Sequence, residues 1–337
     1  MVFQVNELAD RLLAGDRRAL SKSITLIESG RPQDRENALA LLDRIMPETG
    51  SARRLAISGT PGVGKSTFIE AFGEHLIHSG HRVAALTIDP SSRLTGGSIL
   101  GDKTRMPVLA NSPHAYVRPT PSGNMLGGVA RRSREVIALC EAARFDTILI
   151  ETVGVGQSEI EAANMSDCYL LLLQPGSGDS LQGIKRGIME MADMIVVNKA
   201  DGVLLPAARE SAIQYKRALS LMPKTIPDWE RPVILCSSVE KTGLEQVTES
   251  IDGYLQTSRQ NGSFDRKRRE QLHHWLEDET IADLIDGFRQ DSAIQDRFKA
   301  AATQLDKGYS PARIAAHFVQ QLFNLTPDTQ ETDDRKT

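Results

Sequence analysis

The chain has 337 residues, 40% hydrophobic and 25% charged, with a mean hydropathy of -0.28; this allows one large domain with helical appendages or two modest ones. A formal net charge of -4 gives no general attraction to nucleic acid or to an anionic membrane. No apolar run is long enough to span a bilayer and Met1–Asp10 lacks a basic start followed by an apolar block, so a cytoplasmic location is expected.

Residues 1–49 read as a helical segment. Leu8, Leu12 and Leu13, then Leu20, Ile24 and Ile27, then Ala38, Leu41, Leu42 and Ile45 recur at helical spacing. Gly30-Arg31-Pro32 breaks the run, and Pro47 with Gly50 closes it. Nothing here looks chemical, and a helical layer against the main domain is expected.

From residue 50 to 257 the signal changes to short apolar strands alternating with helices. Strands are predicted at Leu55–Ser58, Val83–Ile88, Ala115–Val117, Thr147–Glu151, Tyr169–Leu173, Met194–Val197 and Val233–Cys236. Helices are predicted near Lys65–Ser79, Gly127–Ala143, Leu181–Met191, Pro206–Ser220 and Leu244–Thr257. Continuous apolar runs suit strands buried on both faces, so the fold class is α/β: a P-loop domain with a mostly parallel, doubly wound sheet. Cys140, Cys168 and Cys236 sit singly in apolar surroundings, as buried thiols rather than metal or disulfide partners.

The stretch Gly59-Thr60-Pro61-Gly62-Val63-Gly64-Lys65-Ser66-Thr67 joins the first strand to a helix, which is the context a P-loop requires. Its glycines let successive backbone N–H groups turn in around phosphates, and the helix N-terminus adds partial positive charge. Lys65 would reach the β- and γ-phosphates and Ser66 would ligate Mg²⁺. Asp89, in Asp89-Pro90-Ser91-Ser92, and Asp102, after a glycine-rich run from Thr95, are carboxylates at the same sheet edge; they could complete the Mg²⁺ shell or orient the attacking water.

Glu151-Thr152-Val153-Gly154 ends a strand. The acid there would support Mg²⁺ through water, and the Gly154 N–H would meet the γ-phosphate. Val155 follows where Ras-like GTPases carry a water-orienting glutamine, so hydrolysis should be slow unless Gln157 or a partner supplies that role. Asn198-Lys199-Ala200-Asp201 follows the strand Met194–Val197, and Ser237-Ser238 follows the next. Asp201 can accept from both the ring N–H and the exocyclic amine of guanine, whereas adenine would leave it unpaired; Lys199 would lie along the base plane. The glycine-dense loop Pro175–Lys185, with Asp179 and Lys185, reads as a mobile switch.

Residues 258–325 are helical. Phe264–Phe288 carries a basic start, Arg266 to Arg269, expected to be a solvated face, and an apolar stripe including Leu272, Trp275, Leu276, Ile281 and Leu284. A last helix should open at Ser310-Pro311, and residues 326–337 should form a disordered tail. His75, His78, His81, His273 and His274 lack partners of metal-site spacing.

Taken together, the Glu-x-x-Gly motif, Asp89-Pro90-Ser91-Ser92, Thr95–Asp102, Glu151–Glu159 and Leu181-Gln182-Gly183-Ile184-Lys185 resemble the MeaB/ArgK branch, the methylmalonyl-CoA mutase-associated GTPases. That branch lies within the wider family of P-loop GTPases that includes nickel chaperones. The resemblance implies a Mg²⁺-dependent GTPase that serves as a G-protein chaperone for an adenosylcobalamin-dependent acyl-CoA mutase. It also implies Ser66, Asp89, Asp102 and Glu151 as the Mg²⁺ group, Asp179, Gln182 and Lys185 as switch residues, and a homodimer through the C-terminal helical arm. Ser180 and Arg93 depart from the branch, which commonly has an acid and a proline there. A nickel-insertion GTPase would be expected to show a His-rich tract or a Cys-Pro or Cys-His site, and a transport-associated protein kinase would prefer ATP, against Asp201.

Overall fold

The computed structural model describes residues 2–88, 106–120, 128–152, 157–176 and 186–323. Asp89, Asp102, Gly154, Asp179, Gln182, Lys185 and the tail from 324 lie outside them. Three helices lead the chain: α1 (Val2–Leu13), α2 (Arg17–Glu28) and α3 (Pro32–Ile45). The break between α1 and α2 is not marked by the apolar periodicity. Gly15 turns the chain with φ +83°, and Asp16 caps α2 by accepting from the N–H groups of Arg18 and Ala19 at 2.7 and 3.2 Å.

The main domain then runs β1 (Arg53–Gly59), α4 (Lys65–His78), β2 (Val83–Ile88), α5 (Pro107–Asn111), β3 (Ala115–Thr120), α6 (Gly128–Ala142), β4 (Thr147–Thr152), α7 (Gln157–Ala163) and β5 (Cys168–Leu173). It continues with α8 (Arg186–Met191), β6 (Met194–Val197), α9 (Leu205–Ser220), β7 (Val233–Leu235) and α10 (Leu244–Gln260). All seven predicted strands form; the short helices α5 and α7 are additions, having too few residues to show a period. The strands make one sheet in the order β3-β2-β4-β1-β5-β6-β7, and every pairing is parallel.

Both faces of the sheet are covered, as the continuous apolar runs require. On one face Ala56, Ile150, Tyr169 and Leu171 pack with Leu20, Ile24, Leu41 and Ile45 of the leading helices and with Ile137 and Leu139 of α6. On the other, Leu55, Ile57, Leu149 and Leu170 pack with Phe68 and Phe72 of α4 and Val247 and Tyr254 of α10. The period-two alternation along β1 assigns its side chains to faces: Leu55 and Ile57 to one, Ala56 and Ser58 to the other. The three cysteines are buried and free; burial pushes the Cys236 thiol up to about 12.

The amino edge of the sheet is fixed by buried charge. Asp167, before β5, accepts from Arg268 at 2.5 and 2.8 Å and from the Arg54 N–H at 2.8 Å. Glu141 accepts from Arg54 Nε at 2.7 Å and lies 3.7 Å from Arg268. The basic run of α11 (Ser263–Gln290) is therefore not a wholly solvated face: Lys267 also donates to the Asp167 carbonyl at 3.0 Å. Two buried carboxylates need these cations more than solvent does.

The chain divides into two compact units, Met1–Leu276 and Glu277–Thr337. In the second, α12 (Ser292–Ala302) and α13 (Pro311–Phe323) follow the end of α11. Phe288, Phe298 and Phe318 meet edge-on there, with centroids 5.4 to 6.2 Å apart. Ser310 accepts from the Arg313 N–H at 3.3 Å, the expected cap.

Candidate nucleotide site

The order of strands places the site. From β1 the chain moves to β2 and β3 on one side, and after β4 it moves to β5, β6 and β7 on the other. The crevice at the carboxyl ends of strands flanking such a reversal is where open α/β sheets take ligands. Gly59 ends β1, Glu151 and Thr152 end β4, Gln174 follows β5, Asn198 follows β6 and Cys236 follows β7. Residues far apart in sequence thus meet at one edge.

Gly59 turns out of the sheet at φ +155°, and any Cβ there would collide with the Leu172 carbonyl oxygen. Gly64, at φ +91°, precedes α4, and a Cβ would lie 3.0 Å from the amide nitrogen of Asn198. The turn from Thr60 to Gly64, with Pro61, Gly62 and Val63, is closed by a Val63 N–H bond to the Thr60 carbonyl at 3.2 Å. The first N–H groups of α4, at Lys65, Ser66 and Thr67, have no intrahelical acceptor by helix geometry and face this turn. Lys65 Nζ donates to the Gly59 carbonyl at 2.7 Å and the Thr60 carbonyl at 3.4 Å. Burial pulls the Lys65 ammonium below the usual lysine range, opposed by the charges of Glu151 and Glu159.

Ser66 Oγ donates to Glu151 Oε1 at 3.1 Å, and Glu151 is buried. A hydroxyl and a carboxylate oxygen at this separation are hard donors suited to Mg²⁺, which favours oxygen and keeps most of its shell as water and phosphate oxygens. Among the described residues no group of three or more His, Cys, Asp or Glu side chains could hold a metal ion; a site completed by phosphates needs none. Gln157 opens α7.

The loop after β6 closes over the glycine turn. Asn198 is 1% exposed; its Nδ2 donates to the Val63 carbonyl at 3.0 Å, and its Oδ1 accepts from Ser238 N–H and Oγ at 3.2 and 2.8 Å. Lys199 adopts φ +59°, and its Nζ reaches the Gly62 carbonyl at 2.6 Å and Gln174 Oε1 at 3.4 Å. Asp201 accepts a hydrogen bond from Ser237 Oγ, and that oxygen accepts from the Glu240 N–H at 3.1 Å. The structure therefore brings Asn198, Lys199, Asp201, Ser237 and Ser238 together at one end of the turn, with Ser66 and Glu151 at the other. Sequence reasoning gave no role to Gln174, Ser58 or Glu159; Ser58 precedes the phosphate loop and Glu159 ends the Glu151–Glu159 stretch, but nothing in the sequence marks the contact between them.

A glycine turn gripped by an Asn-Lys-x-Asp loop over a parallel sheet is the arrangement of P-loop GTPases, and this chain is one. Residues 20–293 match the family model described as methylmalonyl Co-A mutase-associated GTPase MeaB, and the chain belongs to that family. It is 45% identical over 275 residues to GTPase ArgK of Escherichia coli, covering 82% of this chain and 83% of ArgK. It is 40% identical over 322 residues to the mitochondrial methylmalonic aciduria type A homolog of Mus musculus, covering 92% and 78%. The crystal structure of a LAO/AO transport system kinase superposes with a TM-score of 0.73 at 33% identity, covering 95% of this chain and 97% of that one. Guanine nucleotide binding goes with the family. Among the described residues no helix is long and apolar enough to cross a membrane.

Proposed function

We propose that this chain is a Mg²⁺-dependent GTPase acting as a G-protein chaperone for an adenosylcobalamin-dependent acyl-CoA mutase of the methylmalonyl-CoA mutase type. It would gate loading of the mutase's B12 cofactor and protect or reactivate the enzyme. The observation that carries the client assignment is the match of residues 20–293 to a family described as mutase-associated. The nucleotide assignment is supported by the Ser66–Glu151 contact and by the Asp201–Ser237 pair beside the glycine turn.

In this reading Gly59 to Thr67 wrap the phosphates, and Lys65 leaves the Gly59 carbonyl to bind the β- and γ-phosphates. Asp201 accepts from the guanine edge, while Asn198 and Lys199 hold the base loop to the glycine turn and Ser237 and Ser238 brace it. Ser66, Asp89, Asp102 and Glu151 would hold Mg²⁺, which when bound neutralises charge on the β- and γ-phosphates. Gly154 would meet the γ-phosphate and Gln157 would orient water; Asp179, Gln182 and Lys185 would form a switch that answers to the client. Turnover is slow alone and faster with the mutase.

Such a chaperone works only if the mutase binds the GTP and GDP states with different affinities, because equal affinity shifts nothing. The helical arm from 258 to 325 is assigned to homodimer formation. Exposed Leu272, Leu276, Ile281 and Leu284 on α11 support that assignment. The test is GTP turnover with and without a purified adenosylcobalamin-dependent acyl-CoA mutase from the same organism. Stimulation with GTP and not ATP is expected; no stimulation by any such mutase would overturn the chaperone assignment.

A further inference from the structure

The geometry points to a second ligand site at the amino edge of the sheet, built for a small amphipathic acid: an apolar body with one N–H or O–H donor and one carboxylate. It lies at the end of the strands opposite the nucleotide crevice and does not depend on that assignment. A cavity of about 470 Å³ is enclosed there by the residues that follow α3, by α6 and by the first three turns of α11. That is within the range of small-molecule sites. Its apolar wall comes from Met46, Ile137 of α6, Met165 before β5, and Leu272 and Trp275 of α11. Methionines adapt to an irregular apolar body, and the indole offers it a flat face.

The charged groups of the cavity are not equivalent. Arg54 and Arg268 line it but are held by Glu141 and Asp167. Their charge is matched, and neither side chain is at liberty to fill the space. Arg134 adds a further guanidinium to the wall. Arg269, exposed beside Arg268, also lines the cavity and makes no hydrogen bond or ion pair among the described residues. Asp265 lines it one turn earlier on α11 without pairing with Arg269. A compact head group with a single negative charge suits this pair better than a polyphosphate, which would meet the Asp265 carboxylate as well.

Gln271 supplies the remaining feature. It lines the cavity and is 6% exposed. Its Nε2 donates to the Ser166 carbonyl at 2.8 Å, while its Oε1 is buried with no hydrogen-bond partner. Buried side-chain acceptors are as a rule satisfied, and leaving one unpaired is unfavourable. A ligand N–H or O–H in this cavity would satisfy it. The apolar wall, the uncommitted Arg269 and the orphaned Gln271 oxygen together define the three parts of the ligand.

The test uses the full chain and N-octanoylglycine, which carries an apolar tail, one amide N–H and one carboxylate. Octanoate lacks the N–H, and octylamine reverses the charge. Binding is read by titration calorimetry on the wild-type chain and by Trp275 emission in a Trp229→Phe background, these being the two tryptophans of the chain. N-octanoylglycine should bind with a Kd near or below about 100 µM, tightening about twofold or more per methylene from the butanoyl to the octanoyl conjugate. Octanoate should bind about threefold or more weaker, and octylamine about tenfold or more weaker. Arg269→Glu, at an exposed position that the fold does not need, should weaken N-octanoylglycine by about tenfold or more. Gln271→Leu should erase its advantage over octanoate. Far-UV circular dichroism of both variants should match wild type. No saturable binding below about 2 mM, whether a second copy of the chain covers the cavity or water fills it, would overturn the inference. Unchanged affinity in Arg269→Glu would overturn it too, as would octylamine binding as tightly as the acid, the mark of an unselective apolar surface.

Discussion

Asp201→Asn is the substitution whose outcome the structure fixes most closely. Ser237 Oγ accepts from the Glu240 N–H, so its proton is directed to the side chain of Asp201. In the variant that proton selects the new amide's oxygen as acceptor and leaves the NH₂ to face the base. Guanine offers donors there, so one charge-assisted hydrogen bond is lost and two donors are opposed. A hydrogen bond to a charged group contributes about 1.5–3 kcal/mol, and an unpaired buried donor costs about 1–3 kcal/mol more. A total near 3 kcal/mol corresponds to GTP binding weakened by about 100-fold. Xanthosine triphosphate, which presents a carbonyl where guanine has its amine, should bind the variant better than wild type. Competitive titration of both nucleotides against a fluorescent GDP reads the ratio. An unchanged preference for GTP over xanthosine triphosphate would refute guanine reading by Asp201.

Lys65→Ala should abolish measurable GTP turnover while far-UV circular dichroism stays unchanged, because the ammonium bonds carbonyls of its own loop; normal turnover would remove the phosphate-loop assignment. Arg268→Ala removes both guanidinium bonds to the almost fully buried Asp167, leaving it the Arg54 N–H, while Glu141 keeps Arg54 Nε; it should cost about 3–5 kcal/mol in urea unfolding. A loss under about 1 kcal/mol would mean that Arg54 and water satisfy both carboxylates. Lys185→Ala should lower mutase-stimulated turnover more than basal turnover, and equal losses in both would deny it a switch role.

Much of this site was legible in the chain because its signals are local. The P-loop is nine consecutive residues whose glycines are dictated by backbone geometry, and Gly59 and Gly64 occupy positive φ as that geometry demands. Asn198 to Asp201 announces itself by following a strand, and the strands announce themselves by continuous burial. The helix opening at Ser310-Pro311 is equally a matter of adjacent residues.

Other features needed the folded chain. A basic run reads the same whether it meets water or a buried acid; only tertiary packing brings Arg268 to Asp167, 101 residues away. The motif alone puts Lys199 along the base, but its ammonium crosses to the Gly62 carbonyl and Gln174, a clamp that no spacing encodes. Ser58 and Glu159 are likewise 101 residues apart and carry no motif that joins them. The sequence by itself determined the elements, the phosphate loop and the base-reading tetrapeptide, since each is set by backbone preference and period over a few neighbouring residues. The pairing of charges and the bracing of one loop by another were decided by tertiary structure, because burial sets the cost of an unpaired charge and burial exists only once the sheet and its helices have packed.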